Sequence, residues 1–224
     1  MEPGRTYHDA CGMARALDRV GERWAMMIVR ELLMGPKRFT DLRTGLPTAS
    51  PNVLAQRLRE LERDGVVAKR RLPPPAASQV YELTEWGREL ETVALALGRW
   101  GARAPMAPEG TTMSLDSHLV SMTTLFDPER AGDFALRLEL RLGDETFRVV
   151  VADGALQLER GTLSTPDAIL TTEPMALVEL MHGWRDFDAA QADGSAVITG
   201  DAEGLRTFLT LFPLPEPAAV AATV

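Results

Sequence analysis

The clearest pattern of apolar and polar positions in the chain is a helical stripe between residues 50 and 65. Leu54, Leu58 and Leu61 recur at the three- and four-residue spacing of one helix face. Ser50 is a residue type that caps helix N-termini, and Gly65 adopts the left-handed turn that ends a helix. The stripe therefore predicts a capped helix of about four turns.

Shorter helical patterns precede this helix. Apolar spacing predicts helices over residues 11–20, 22–34 and 39–44, and the stretch 45–49, with Gly and Pro, predicts a turn. A short helix, a tight turn and a capped helix form a helix-turn-helix arrangement.

The segment after the capped helix predicts a wing and a further helix. Residues 66–72 and 80–83 are typical of two strands, and the prolines between them form the turn, so the arrangement is a winged helix. Thr84 then caps a long helix with an apolar stripe. A small winged domain already has a core, so we favour packing of this stripe against a second copy over packing onto its own domain. The candidate dimerisation residues are Leu17, Leu90, Val93, Leu97 and Trp100.

Beyond residue 113 the pattern changes to an alternation of apolar and polar residues. This period predicts strands at 134–142, 147–151, 156–158, 167–170 and 195–199. Helical spacing predicts helices at 114–126, after a Thr172 cap, at 187–192 and from Asp201. The predicted fold class is α+β. It comprises a winged helix-turn-helix domain (1–103), a linker (104–112), a second domain (113–213) and a mobile tail (214–224).

The charge of the chain divides at the same place. The net charge is −8, but residues 1–106 hold 17 basic and 13 acidic residues, whereas residues 107–224 hold 7 and 19. The halves therefore carry +4 and −12, which indicates different partners for each. Phosphate affinity belongs to the first half only.

The helix with the leucine stripe carries a polar face opposite the leucines. At 100° per residue this face holds Asn52, Gln56, Arg59 and Arg63. A solvated face is the plainer interpretation, but short hydroxyl and amide groups near the helix start are those that read base edges. The basic half around them favours nucleic-acid binding.

Other classes of protein lack support in the sequence. His8, His118 and His182 show no metal-ligand spacing, and no phosphate loop, dinucleotide fingerprint or nucleophile elbow occurs, so we expect no enzyme, metal or cofactor. No apolar run approaches the ~20 residues of a membrane helix. A single cysteine excludes an internal disulfide framework, and we expect a cytoplasmic protein.

Three segments carry a family resemblance over residues 9–103. They are "CGMARALDRVGERWAMMIVRELLMGPKRFTDLR", "SPNVLAQRLRELERDGVV" and "YELTEWGREL", and they resemble the HxlR family of bacterial winged-helix regulators, a branch near the MarR group. The resemblance implies a DNA-binding transcriptional regulator, more often a repressor than an activator. It also implies a homodimer joined through the first and last helices of the domain.

On this interpretation the capped helix enters the major groove of double-stranded operator DNA. The N-terminal half of the helix is assigned contacts with bases. Arg57 and Arg59, on the flanks of the helix, are assigned contacts with either phosphates or bases. The start of the preceding helix and the wing are assigned contacts with phosphates. The candidate DNA-binding residues are Arg38, Thr40, Ser50, Asn52, Val53, Gln56, Arg57, Arg59, Lys69, Arg70 and Arg71. The wing tip, residues 73–78, has no basic residue, which departs from many winged-helix proteins.

Cys11 matches the position of a cysteine that senses electrophiles or oxidants in several HxlR-like regulators. Arg15 follows one helical turn later, and a nearby cation favours the reactive thiolate. The alternative is a small buried hydrophobic residue, the usual role of a lone cysteine.

The second half is similar to the sterol carrier protein fold, through the hairpins of residues 134–160, "DAILTTEPMALVELMHG" and "GSAVITGDAEGLRTFLTLF". That fold implies a five-stranded sheet covered by helices and an apolar cavity for a lipid-like effector. The candidate ligand-binding residues are Phe134, Leu136, Leu138, Val149, Leu158, Leu177, Met181, Trp184, Phe187, Phe208 and Phe212. The alternative function is a lipid carrier whose winged half only dimerises.

Overall fold

The computed structural model describes residues 6–75, 77–105 and 113–219. These residues fall into two compact units. The first holds residues 6–75, 77–96 and 113–117, and the second holds residues 97–105 and 118–219. The domain bounds predicted from sequence differ from these units at 97–105 and 113–117, and they stay a prediction. The predicted linker, apart from residues 104 and 105, lies outside the described residues.

The first unit is mainly helical and carries one hairpin. Its elements are α1 (Gly12–Val20), α2 (Ala25–Leu33), α3 (Phe39–Gly45), α4 (Pro51–Arg63), β1 (Val67–Arg71), β2 (Gln79–Leu83), α5 (Glu85–Arg88) and the first part of α6 (Leu90–Gly101). The helix-turn-helix and the wing are confirmed, since α3, a turn and α4 precede an antiparallel β1–β2 pair.

The core of the first unit forms where α2, α3 and α4 turn their apolar faces inward. Ile28, Leu42 and Leu54 are each 0% exposed, and Leu58 is 1% exposed. Burial of side chains of this size stabilises the fold by roughly 1.5–3 kcal/mol each. The leucine stripe thus anchors α4 in the core and leaves the opposite face of the helix exposed to solvent.

The prediction of one continuous helix from Thr84 is wrong. Thr84 Oγ1 accepts a hydrogen bond from Gly87 N at 2.9 Å, which caps the four-residue helix α5. Glu89 N then donates to Trp86 O at 3.2 Å, a three-residue closure that tightens the turn before α6 begins at Leu90. The apolar stripe survives this break on α6.

The second unit contains a five-stranded sheet and several helices. Its elements are α7 (Leu115–Leu125, from residue 118), α8 (Pro128–Ala131), β3 (Leu136–Leu142), β4 (Glu145–Ala152), β5 (Ala155–Arg160), β6 (Ala168–Thr172), α9 (Pro174–Met181), α10 (Phe187–Ala192), β7 (Ala196–Gly200) and α11 (Ala202–Leu209), together with the end of α6. The strand order is β5-β4-β3-β6-β7, with only the central pair β3–β6 parallel among the described strands. The predicted α+β class and five-stranded sheet are confirmed.

One face of this sheet is packed. Leu138, Leu140 and Val149 are 0% exposed, as their alternation with polar residues predicts. Phe212 packs in the same core, with ring centroids 6.0 Å from Phe126 and 5.0 Å from Phe208.

Three local details of the second unit differ from the sequence predictions. The first strand begins at Leu136 and leaves Phe134 in the preceding loop. Thr172 ends β6 and donates to Ser195 O at 2.8 Å, so Glu173 is the N-cap of α9. The short helix α8 was not predicted, although Asp127 caps it by accepting from Glu129 N and Arg130 N.

The chain end is held in part. Arg103 Nε donates to Glu216 O at 3.0 Å, and Ala218 N donates to Arg103 O at 2.8 Å. Glu216 and Ala218 of the predicted mobile tail are therefore hydrogen-bonded to Arg103, and residues 220–224 lie outside the described residues. Within the described ranges, none of the helices has the length and apolar content to cross a membrane.

Candidate nucleic-acid interface

Helix α4 presents a polar face because its opposite face is anchored. Leu54, Leu58 and Leu61 are at most 1% exposed. Ser50 Oγ accepts a hydrogen bond from Val53 N at 3.3 Å, which satisfies one of the free N–H groups at the helix start. The exposed residues of this end and face are Ser50, Asn52, Gln56, Arg59 and Arg63. Val53 is half-buried, so it is less available than its neighbours.

The turn before α4 fixes the relation of α3 to α4. Leu46 N donates to Leu42 O at 2.9 Å, and Ala49 N donates to Leu46 O at 3.0 Å. Leu46 is 3% exposed and Ala49 is 5% exposed, so both anchor the turn in the core. The start of α4 is therefore held in place by packing as well as by its cap.

Helix α3 brings further exposed polar groups beside α4. Arg38 and Thr40 lie at its start, as predicted, and both are exposed. Arg43 and Thr44 are also exposed and were missed by the sequence analysis. The missed signal is their spacing of three and four residues from Thr40, which places them on the same helix face. In the described ranges no ion pair joins Arg38, Arg43 or Arg59 to a carboxylate.

Arg57 is occupied by the chain itself. Its side chain is 15% exposed and forms ion pairs with Glu60 and, at 3.4 Å, with Glu22. Gln56 Nε2 donates to Glu60 Oε1 at 3.0 Å, an exposed bond that DNA can replace. The geometry therefore favours Gln56 over Arg57 as a contact residue.

The basic residues of the wing also have partners within the chain. Arg70 Nε and Nη2 each donate to the Glu82 carboxylate at 2.9 Å, and these bonds raise the pKa of Arg70 and lower that of Glu82. Lys69 Nζ lies 5.6 Å from the centroid of the Tyr81 ring, and Arg71 Nε donates to Ala77 O at 3.3 Å. The wing offers exposed cations, but Arg70 is partly neutralised.

A buried ionic cluster lies in the same unit and was also missed. Glu31 is 0% exposed, and its carboxylate accepts from Arg30, Lys37 and Ser114 at 2.6–2.7 Å. Burial by itself raises the pKa of Glu31. The hydrogen bonds from Lys37 and Ser114 and the charge of Lys37 together lower it by more, so the pKa lies below the ordinary value of 4.5. A single charged residue inside an apolar helix pattern gives little warning of such a cluster.

The predicted dimerisation residues are exposed in the single chain. Leu17 is 40% exposed, Val93 53%, Leu97 52% and Trp100 74%, whereas Leu90 is half-buried. Within the first unit, Trp86, Leu90 and Val93 also line a groove of about 210 Å³ beside α1. Exposed apolar side chains grouped in this way are typical of an interaction surface.

Cys11 is exposed and caps the start of α1. Its Sγ accepts a hydrogen bond from Ala14 N at 3.4 Å, and Cys11 N donates to Asp9 Oδ1 at 2.8 Å. The alternative of a buried hydrophobic cysteine is wrong.

Most predicted ligand-binding residues form the core of the second unit. Leu136, Leu138, Val149, Leu177, Phe208 and Phe212 are at most 2% exposed. Phe134 and Leu158 are half-buried, and Trp184 is 56% exposed. Met181 and Phe187, each 9% exposed, meet Leu180 and Leu209 in an open groove of about 400 Å³. Among the described residues, no group of three or more His, Cys, Asp or Glu side chains is arranged to hold a metal ion.

Two family models match the chain. The HxlR-like helix-turn-helix model matches residues 19–108, and the alkyl sulfatase C-terminal model matches residues 110–218. The second match does not confirm the resemblance to the sterol carrier protein fold.

Two relatives, YdeP and YodB, agree with the first match. YdeP, an uncharacterized HTH-type transcriptional regulator of Bacillus subtilis (strain 168), is 37% identical over 98 residues, which cover 42% of this chain and 74% of YdeP. The HTH-type transcriptional regulator YodB of the same organism is 36% identical over 88 residues, which cover 39% of this chain and 79% of YodB. The solved structure of the redox regulator HypR in its oxidized form is 32% identical, with a TM-score of 0.41, and the match covers 43% of this chain and 100% of HypR. YdeP and YodB are transcriptional regulators, which are not enzymes.

Proposed function

The chain belongs to the HxlR-like helix-turn-helix family through residues 19–108, and from this premise we propose that it is a repressor that binds operator DNA as a homodimer. Members of this family are DNA-binding transcriptional regulators. The single observation that carries the proposal is the anchored helix α4, whose exposed end and face hold Ser50, Asn52, Gln56 and Arg59. Repression follows if the operator overlaps a promoter, and the cytoplasm is the compartment where that DNA is found.

In this proposal the contacts divide between two kinds of residue. Asn52 and Gln56 read base edges, because amide side chains donate and accept at the same time. Arg38, Arg43 and Arg59 contact phosphates and set affinity without sequence choice. The wing residues Lys69, Arg70 and Arg71 add weaker phosphate contacts, and Thr40 and Val53 complete the surface.

The test is fluorescence-anisotropy binding to duplexes from the region upstream of the protein's own gene, compared with random duplexes, at several salt concentrations. Selective binding with a steep loss of affinity at higher salt is expected. A lipid carrier whose winged half only dimerises would retain neither duplex at low salt, and that result would replace the proposal. A reporter gene behind the bound region then shows whether transcription falls.

The proposed dimer uses the exposed apolar residues of α1 and α6. Substitution of Val93 by Glu places a charge in the interface and should yield monomers in analytical ultracentrifugation. Exposed Glu91, already charged, gives a matched control as Glu91→Gln. The operator of a twofold dimer has half-sites about one helical turn apart. Monomeric wild-type protein at micromolar concentration would contradict this part.

A second proposed role belongs to the C-terminal unit, which we infer binds an apolar effector. Support comes from the groove whose lining includes the apolar residues Leu180, Met181, Phe187 and Leu209. An effector changes DNA binding only through unequal affinity for the two conformations. Fatty acids and sterols should therefore raise the melting temperature and alter DNA affinity together. If neither changes either quantity, the unit has a structural role.

Cys11 supports a third, separate role as a thiol sensor. Its exposure and its position at the start of α1 make the thiol accessible to electrophiles. Diamide or N-ethylmaleimide should lower DNA affinity in the wild type and leave the Cys11→Ala variant unaffected. Equal affinities before and after treatment would exclude sensing at this residue.

A further inference from the structure

The buried ionic cluster of the first unit includes two residues from the start of α7. Lys37 Nζ lies 2.6 Å from Glu31 Oε2 and also forms an ion pair with Asp116. Ser114 Oγ lies 2.6 Å from Glu31 Oε1 and accepts from Ser117 N at 3.0 Å. Glu31 is 0% exposed and Asp116 is 2% exposed, so these bonds form away from solvent.

The same cluster touches the elements that hold α3 and the wing. The backbone of Lys37 pairs with Tyr81 of β2, since Lys37 N donates to Tyr81 O at 2.9 Å and Tyr81 N donates to Lys37 O at 2.8 Å. At the other end of α3, a Cβ added at Gly45 would overlap the Glu31 carboxylate. The cluster therefore includes Lys37, two residues before α3, and lies beside the last residue of α3 and the wing strand.

The charges of the cluster balance only when the α7 residue is counted. Among the described residues, the cations of the cluster are Arg30 and Lys37, and the anions are Glu31 and Asp116. Without Asp116 one positive charge in this poorly solvated cluster is uncompensated, and loss of one partner of a buried pair is strongly destabilising. Ser114 supplies one of the hydrogen bonds that the buried carboxylate of Glu31 requires.

The position of these two residues in the sequence is unexpected. Residues 113–117 lie within the segment 110–218 that matches the alkyl sulfatase C-terminal model, yet they belong to the first compact unit. The HxlR-like match ends at residue 108. The winged helix of this chain is thus completed by residues that its family match does not include.

We propose that Ser114 and Asp116 are positioning residues for operator recognition, because they complete the cluster that holds α3, the helix turn and the wing in place. This inference rests on the proposed DNA-binding function. The two residues touch no DNA in this proposal. They act through Glu31 and Lys37 on the elements that do.

The test compares Asp116→Asn with Asp144→Asn in the full chain. Asp144 is an exposed residue of the β3–β4 turn, so both variants lose one negative charge. Electrostatics alone predicts slightly tighter binding to DNA for both variants. We expect Asp116→Asn to bind the selected duplex at least fivefold more weakly with an unchanged salt slope, and Asp144→Asn to bind as tightly as wild type or slightly more tightly. Equal affinities of the two folded variants would overturn the proposal.

Ser114 provides a milder pair of variants if Asp116→Asn does not fold. Ser114→Ala removes the hydroxyl that donates to Glu31, and Ser114→Thr keeps it. We expect a two- to threefold loss of affinity for Ala and recovery for Thr. Identical affinities for Ala and Thr would count against the positioning role.

Amide hydrogen exchange separates this inference from the proposed function. Exchange in residues 39–54 should be faster in Asp116→Asn and Ser114→Ala than in Asp144→Asn, with or without DNA. If wild-type protein binds no DNA but exchange changes in this way, the proposed function fails while the structural role of the cluster stands. Unchanged exchange would overturn the inference even if DNA binding is confirmed.

Discussion

The two regions of the chain differ in whether every arginine has a partner within the chain. All seven basic residues of positions 107–224 are arginines, and each has a partner within the chain: Arg130, Arg137, Arg141, Arg148, Arg160, Arg185 and Arg206. In the first unit, Arg38, Arg43 and Arg59 are exposed and form no ion pair with any described residue. The net charges of +4 and −12 therefore understate how much the two regions differ in basic side chains that are available to bind DNA. What matters for DNA is which cations lack a carboxylate of their own.

The largest expected effect comes from removing two of the unpaired arginines. The double variant Arg43→Ala and Arg59→Ala should bind all duplexes more weakly, by roughly twentyfold near physiological salt, because two phosphate contacts are lost. The slope of log affinity against log salt should fall by about two. Anisotropy titrations at four salt concentrations measure both. The control is the double variant Arg148→Ala and Arg160→Ala, which should leave the affinity for DNA unchanged. Equal losses of affinity in the two double variants would contradict the difference between the arginines of the two regions.

Gln56→Ala should produce a smaller and different effect. Loss of a base-reading amide lowers discrimination between the selected and random duplexes by about 1 kcal/mol, or roughly fivefold, with little change in the salt slope. Competition titrations with the two duplexes measure the ratio. The result would contradict the assignment if affinity fell equally for both.

Changes at the ion pair of Arg70 with Glu82 should have a still smaller effect on DNA affinity, in opposite directions for the two residues. Glu82→Gln releases Arg70 from its ion pair and should tighten binding to every duplex by up to about threefold. Arg70→Ala should weaken binding by less than either arginine of α3 and α4, because Glu82 already offsets its charge. Binding that is unaffected by both changes would place the wing away from DNA.

Acidification should act mainly on the second region. Burial lowers the pKa of His118 and of His182 below the ordinary value of 6.5, so each histidine binds a proton less readily in the folded state than in the unfolded chain. The unfolded chain then binds more protons as pH falls, and stability decreases below about pH 6.5 by at most about 1.4 kcal/mol per pH unit for each histidine. Thermal melts from pH 8 to pH 5 measure this slope. His182→Gln should reduce the slope, because it removes one of the two histidines whose pKa burial lowers.

The sequence was sufficient to predict the parts of the fold that depend on local periodicity. The leucine stripe predicted the burial of Leu54 on α4, and the alternation predicted the burial of Leu138 on β3. The alternation did not predict that Glu139, the polar residue that follows Leu138, is also only 4% exposed. The cap at Ser50 and the polar face of α4 followed from residue types alone. These features require no knowledge of distant contacts.

The features that could not be predicted depend on residues far apart in the chain. The ion pair of Arg70 with Glu82 requires the strand register, in which Arg70 lies opposite Val80 and Glu82 lies opposite Ala68. The buried cluster joins Glu31 to Ser114, which lie 83 residues apart. Such contacts decide whether a basic side chain is available to bind DNA. A list of basic residues taken from the sequence therefore includes side chains with and without a partner in the chain.

The discontinuous first unit also constrains how the protein is made. The ribosome delivers residues 6–96 of this unit before residues 113–117, with residues 97–112 between them. Until those residues emerge, Glu31 lacks the Ser114 hydroxyl and Lys37 lacks the Asp116 carboxylate. Because domains generally fold as units during synthesis, we expect the winged helix to be completed only after the start of α7 has left the exit tunnel.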